Sequence, residues 1–268
     1  MEQCCEVILN LDKRNITYWV VNMDNDDIIL NFQWLVNLLL TKKHETPRML
    51  IFFRQIKHIA EVYELLETSL GKGAYIDYKE DGPNDDRTRL FEMFHQKTDD
   101  DVKNSICSSY HDPNGNIRVV LCSASFSMGL DVKGIDTVIH YGPANDIDDY
   151  LQESGRAGRD PHNECHAIPL KYKRCLGSQN ISVSMQDYVK TAACRRQLLM
   201  SKFGSPMNKK EPLHLCCDSC QKSCRCACVC EKDCMCTNLC KAQMPSVFET
   251  IQKYKDAEVN SASEISSD

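Results

Sequence analysis

The chain has 268 residues, 42% of them hydrophobic, and a formal net charge of −6. That length supports one sizeable core and a small second module. The expectation is a chain with neither a membrane span nor a secretory signal. No apolar run approaches the roughly 20 residues a bilayer requires, and the start lacks a basic region followed by an apolar stretch.

Residues 1–26 are polar and mixed, with a strand predicted over Ile16–Val21. The apolar positions 28, 32, 35, 36 and 39 recur at helical spacing, so residues 27–43 read as an amphipathic helix. Met49–Phe53 is a short apolar strand, and Gln55–Leu70 follows with helical periodicity ending at Gly71, a strand-helix unit of a parallel sheet. Thr98 and the acids at 99–101 suit a helix start, since acids favour the positive end of the helix dipole. Val102, Ile106 and Tyr110 then share a face. Pro113–Asn116 marks a turn before a strand that starts at Ile117; Val119–Gly134 reads as a buried strand and a loop of small residues, and Thr137–Tyr141 as a second buried strand. Ala167–Leu170 reads as a late strand, with Pro169 favouring an edge or strand end. From Met185 to Phe203 the pattern is one helix, closed by Gly204 and Pro206. The Ser- and acid-rich end, 261–268, has a disordered composition.

The densest chemistry lies in Gln152-Glu153-Ser154-Gly155-Arg156-Ala157-Gly158-Arg159-Asp160, after an acidic helical run. Two arginines three apart present planar donor forks that fit phosphate oxygens, and the glycines are read as allowing another surface to approach. Seventeen cysteines are the second signal; ten fall between Cys216 and Cys240. Cys107, Cys122 and Cys165 stand singly in apolar surroundings and read as small buried hydrophobes. Without a secretory signal, the dense cluster points to a reduced compartment and metal binding. Cys194, His214, Cys217 and Cys220 offer four ligands of the type that closes a structural zinc site. His214 preserves the two-residue spacing; Cys216 is its rival. Charge is asymmetric: residues 171–225 carry +8 and the remainder −14. A local basic surface is what phosphate binding requires. Arg195, Arg196, Lys202, Lys209 and Lys210 are its candidate contacts.

Taken in order, Val119–Gly134 with Phe126, Met128, Gly129 and Asp131, then Val138-Ile139-His140, then the GRAGR motif, resemble the second motor lobe of RecQ-type DNA helicases. Arg195-Arg196 after Cys194, and Cys217-Asp218-Ser219-Cys220, resemble the zinc module that follows that lobe. The resemblance covers roughly residues 12–225. It departs at Ser123, Ser125 and Ser127, at Leu130, and at Lys133, and the family's Y-H-A-G segment is not evident, with His95 a divergent counterpart.

The resemblance implies a RecA-like α/β fold with a parallel sheet flanked by helices, a helical zinc-binding module and a Cys-rich tail. It divides the chain into 1–26, a leading segment from a missing first motor lobe; 27–175, the lobe; 176–225, the zinc module; and 226–268, a disordered tail. Arg159 is then the arginine finger, Arg156 a second phosphate contact and Gln152 the link to the inter-lobe interface. Asp131 and Gly129 belong to the loop that couples nucleotide to DNA. The implied cofactors are structural Zn²⁺, and ATP with Mg²⁺ only beside a first lobe. No G-x-x-x-x-G-K-[ST] and no D-E-x-H occurs among the 268 residues. The implied partners are single-stranded or forked DNA and a first RecA-like lobe, with no membrane; the implied location is nuclear. Two other readings stand beside the 3′–5′ helicase: a non-catalytic DNA-binding or regulatory protein, and a cysteine-rich metal-binding protein.

Overall fold

The computed structural model describes residues 12–78, 88–124, 132–177, 180–204, 209–226, 247 and 249–254. Seven strands form one sheet in which every pairing is parallel: β1 (Ile16–Tyr18), β2 (Val21–Asn22), β3 (Met49–Phe53), β4 (Phe91–Phe94), β5 (Val119–Cys122), β6 (Thr137–Tyr141) and β7 (Cys165–Lys171). Their order is β1-β7-β6-β3-β5-β4, with β2 also on β7. The helices are α1 (Ile28–Lys42), α2 (Ile56–Leu70), α3 (Asp100–His111), α4 (Ile147–Ser154), α5 (Val183–Lys190), α6 (Arg195–Ser201) and α7 (Asp218–Gln221).

Both faces of the sheet are covered, which is why β3 and β5 read as unbroken apolar runs. Side chains alternate between two cores. Leu50, Phe52, Val120 and Val138 point into one, shared with α3 to α6. Met49, Ile51, Leu121 and Ile139 point into the other, under α1 and α2. Each fully buried side chain of this size contributes roughly 1.5–3 kcal/mol over exposure. Local chemistry sets the helix ends. The Asp27 carboxylate accepts from the Ile29 N–H at 2.8 Å, Asp146 accepts from Asp149 N–H at 2.8 Å, and α2 stops at Gly71 in a left-handed conformation (φ 47°). The polar interruption at Asn31 is absorbed: its amide is buried and donates to the Asn25 carbonyl at 2.9 Å.

Three expectations are corrected. Pro169 lies inside the sheet, because β7 has β6 on one flank and β1 with β2 on the other. Its nitrogen faces the same flank as the Ala167 carbonyl, which accepts from Trp19 N–H. There the neighbouring strand is interrupted between Tyr18 and Val21, and Val20 N–H turns away to Asp218 at 3.1 Å. Any other residue at 169 would donate there to the Trp19 carbonyl, so the sheet forgoes that one bond and the neighbouring strand divides into β1 and β2 around it, in unchanged register. The 185–203 helix is two helices, α5 and α6. Thr191 and Cys194 break it, and Cys194 becomes the N-cap residue of α6. As the single core expected from the length implies, the cysteine-bearing segment shares the core of the sheet: Cys194, Leu199, Cys216 and Cys217 belong to the same cluster as Tyr18 and Phe52. Residues 249–254 are helical, and Val247 and Ile251 are buried against the α1–α2 face, so this part of the tail is folded.

One consequence of the sheet edge is a pH-dependent stability. His166 on β7 accepts from the Trp19 indole at 3.3 Å, and burial, with Lys210 nearby, pulls its pKa down to about 4. Lys210 is itself held by Glu164 at 3.1 Å. Unfolding restores an ordinary imidazole near 6.5, so the unfolded chain takes up a proton that the folded chain refuses. Stability contributed by the neutral ring is complete above pH 6.5 and declines as pH falls toward 4, by up to about 3 kcal/mol. Urea unfolding at pH 7 and pH 4.5 should show this loss, and His166→Asn, which keeps the acceptor, should flatten it. An unchanged slope in that variant would assign the acid sensitivity elsewhere.

Candidate functional site

The arginine motif is built on the end of α4 and clamped from below. Lys13 donates to the carbonyl of Gly155 and, at 3.4 Å, to that of Ala157. The Asn15 amide donates to the carbonyls of Asp160 at 2.8 Å and Asn163 at 3.1 Å. Gly158 has φ 66°, and a side chain there would meet the Asn15 amide at 2.9 Å. At Gly155 a Cβ would come within 2.7 Å of the Leu151 carbonyl. The glycines therefore serve the motif's own close packing, rather than the approach of another surface.

The two arginines differ. Arg159 is exposed. Arg156 is 7% exposed; burial lowers its pKa, while Cys122 and Glu153 nearby oppose the shift. Burial and the charge of Arg159 likewise lower the pKa of Lys13. Arg156 and Arg159 share a small crevice with Asp136 and Asn163, whereas Gln152 is exposed and lines a separate cleft of about 350 Å³ with Lys13, Tyr18 and Phe203. Gly129 and Asp131 lie outside the described residues.

A groove of about 530 Å³ opens at the carboxyl ends of β3, β5 and β6, lined by Arg54, Gln55, Ser123, His140, Asn145 and Glu153 among others. Open α/β sheets bind ligands at this end. Its floor is a buried pair, His140 Nε2 to Glu153 Oε2 at 2.9 Å, with His140 stacked on Phe52 at 5.3 Å. His95 stands at the same end, directly after β4, whose last carbonyl accepts from Ser123 N–H at 3.1 Å. The sequence reading missed Arg54, Lys13, Asn15 and the His140–Glu153 pair. The last had a faint signal, a histidine ending one apolar strand and a glutamate in the motif that follows.

Four buried cysteines, Cys194, Cys216, Cys217 and Cys220, bring their sulfurs within 4.8 Å of one another. Cys194 and Cys216 are 3.6 Å apart, close to the roughly 3.8 Å edge expected of a tetrahedron with metal–sulfur bonds near 2.3 Å. Hydrogen bonds from Cys194 and Cys216 hold the Cys217 thiol far below its ordinary pKa. Burial and the Cys217 charge push Cys220 up to about 12, and Cys216 is pushed up by its contacts with Cys194 and Cys217. Such a set carries one thiolate easily and needs a cation to deprotonate the others. The donor set fits a soft divalent metal. His214 is not in it: it sits on the short turn before Cys216, beside Cys224 and Cys226.

Three of the five candidate phosphate contacts are structural. Arg196 is fully buried. It pairs with Asp12 and donates to the carbonyls of Ile16 and, at 3.2 Å, Lys13. Arg195 donates to Asp218 at 2.6 Å and to the Tyr188 carbonyl at 2.7 Å. Lys210 is 8% exposed on Glu164. Guanidinium donors spent on buried carboxylates and carbonyls are not available to DNA. Lys202 and Lys209 are exposed.

Residues 30–161 match the family model described as helicase conserved C-terminal domain. Over 126 residues the chain is 31% identical to the bifunctional 3'-5' exonuclease/ATP-dependent helicase WRN of Mus musculus, covering 39% of this chain and 9% of that protein. It is 32% identical over 127 residues to a putative ATP-dependent RNA helicase, R290, of Acanthamoeba polyphaga mimivirus, covering 41% and 22%. It is 27% identical over 110 residues to the ATP-dependent DNA helicase RecQ of Pasteurella multocida, covering 35% and 17%. Fold and match together make this region similar to a helicase C-terminal lobe. RecQ-family homologues are among the similar proteins, at about 30% identity over this region. The chain spans between 9% and 22% of the lengths of these three relatives. No helix among the described residues is long and apolar enough to cross a membrane.

Proposed function

We propose that the chain supplies the second motor lobe and metal module of a RecQ-like, nuclear, ATP-dependent 3′–5′ DNA helicase. The observation that carries this reading is the asymmetry of the arginine motif. Its backbone is fixed by Lys13 and Asn15, its first arginine is buried, and its second is exposed at the rim. A rigid mount for one exposed guanidinium is what an arginine finger requires. It stabilises charge on the transferring γ-phosphate without reorganising at the moment of reaction. In this role Arg159 contacts the phosphate and Arg156 supports it from beneath, while Gln152 faces the inter-lobe surface. The loop with Gly129 and Asp131 couples nucleotide state to DNA held over the groove at Arg54. Exposed Lys202 and Lys209 add phosphate contacts. Zn²⁺ is the metal of Cys194, Cys216, Cys217 and Cys220, replacing the set with His214.

ATP and Mg²⁺ belong to the assembly with a first lobe. The purified chain is therefore expected to hydrolyse no ATP, with or without single-stranded DNA. Joined to a RecQ first lobe, it should gain DNA-stimulated turnover, and Arg159→Ala should lower kcat by on the order of 10³-fold with little change in nucleotide affinity. Turnover by the chain alone that vanishes with Arg159→Ala would overturn the division of labour. A joined enzyme indifferent to Arg159 would favour the non-catalytic nucleic-acid-binding reading.

A further inference from the structure

Removing His214 from the four-cysteine cluster leaves it in a second constellation. His214, Cys224 and Cys226 bring one ligand atom each within 4.8 Å of the others. The His214 Nδ1 atom is 3.4 Å from Cys224 Sγ and 3.4 Å from Cys226 Sγ. Two sulfurs thus converge on one imidazole nitrogen, which has a single lone pair and can accept one well-directed hydrogen bond. Equal nitrogen–sulfur separations are instead what a shared cation produces. With metal–nitrogen bonds near 2.0–2.1 Å and metal–sulfur bonds near 2.3 Å, a tetrahedral edge is about 3.5 Å.

We propose that His214, Cys224 and Cys226 bind a second zinc-class ion, separate from the four-cysteine site. The ligands are held by different means. His214 sits on a single turn, Leu213–Leu215, immediately before Cys216, and Cys224 N–H donates to the Gln221 carbonyl at 2.9 Å at the end of α7. The two sites therefore share a short stretch of backbone. Burial grades outward: Cys224 is buried, His214 half-buried and Cys226 exposed. The four-cysteine site, by contrast, is buried at every ligand. Among the described residues the site has three ligands and an exposed side, so that once the tail thiols are replaced its fourth position falls to water or a small thiol. Sites of that kind exchange their metal more readily than closed ones. The chain then carries one closed, structural ion and one open, exchangeable ion a few residues apart.

The test uses the full chain with Cys228, Cys230, Cys234, Cys236 and Cys240 changed to serine, so that the tail supplies no thiolates. Zinc loading should give two ions per chain, one removed rapidly by a colorimetric chelator and one resistant. His214→Ala and Cys226→Ser should each abolish the rapid fraction and leave the resistant one. Cys216→Ser should release the resistant ion, which separates failure of the four-cysteine site from failure of this one. Cadmium NMR on the unaltered chain provides a second reading. A resonance in the mixed thiolate–imidazole range should disappear with His214→Ala, while the four-thiolate resonance stays. One ion per chain in the serine background, or a rapid fraction indifferent to His214, would overturn the proposal.

Discussion

Cys216→Ser should release the ion of the four-cysteine cluster and unfold more than the segment that contains it. Binding of zinc to structural sites of this kind is worth on the order of 10 kcal/mol, comparable to the whole stability of a typical domain. The damage should spread because the module and the sheet share a core. Tyr18 bridges to Cys217, Thr17 Oγ1 donates to the Leu215 carbonyl at 3.0 Å, and the Val20 N–H is satisfied by Asp218. Tyr150 and Tyr188, both fully buried, meet hydroxyl to hydroxyl at 2.9 Å and tie α4 to α5. Metal analysis should find one ion lost. Hydrogen exchange should show deprotection of β1 and α6 together, with β3 and β5 protected longest. His214→Ala should leave this ion and this protection in place. Retention of the ion by Cys216→Ser, or its loss from His214→Ala, would return the third ligand to the histidine. Deprotection confined to residues 194–220 would mean that the module folds independently after all.

What could be read from the sequence follows from how local each determinant is. β3 and β5 are legible because burial on both faces leaves no polar residue to interrupt them, and α1 and α2 because their apolar positions keep helical spacing. The GRAGR motif was legible as a motif, but its inner workings were not. Lys13 and Asn15 lie some 140 residues away, and nothing in a lysine or asparagine near the start announces a clamp. Pro169 misled because strand grammar is local, whereas the cost of this proline is a single bond to a partner strand about 150 residues earlier, and pairing resumes in register on either side of it. The third cysteine ligand misled for a similar reason. Regular spacing favoured His214, but Cys216 is the residue whose sulfur turns inward once the turn at 213–215 and the Tyr18 bridge are in place. Basic residues were the most deceptive class. A count of charge cannot distinguish a cation facing water from one facing a buried acid.

Arg196→Met is the sharpest test of that last distinction. As a DNA contact, Arg196 would be dispensable for folding, and its loss would weaken binding and reduce the salt dependence by about one counterion. As observed, its side chain is fully buried, its ring-stacked guanidinium lies 5.1 Å from the Tyr18 centroid, and Asp12, 1% exposed at the side chain, is its ionic partner. Removing one member of a buried pair strands the other charge, at a cost of about 3–5 kcal/mol. Arg196→Met should therefore lower the unfolding free energy by that amount, read as a fall in the denaturation midpoint at unchanged slope. Asp12→Asn combined with Arg196→Met should recover part of it, because the stranded carboxylate is gone. Lys202→Glu and Lys209→Glu, made on exposed side chains, should do the reverse, leaving stability within about 0.5 kcal/mol while weakening salt-dependent DNA binding. An Arg196→Met protein of unaltered stability but reduced DNA affinity would restore the phosphate-contact reading. The predicted opposite pattern means that the basic stretch performs two separate tasks, its inner cations fastening the metal module to β1 and its outer ones meeting nucleic acid.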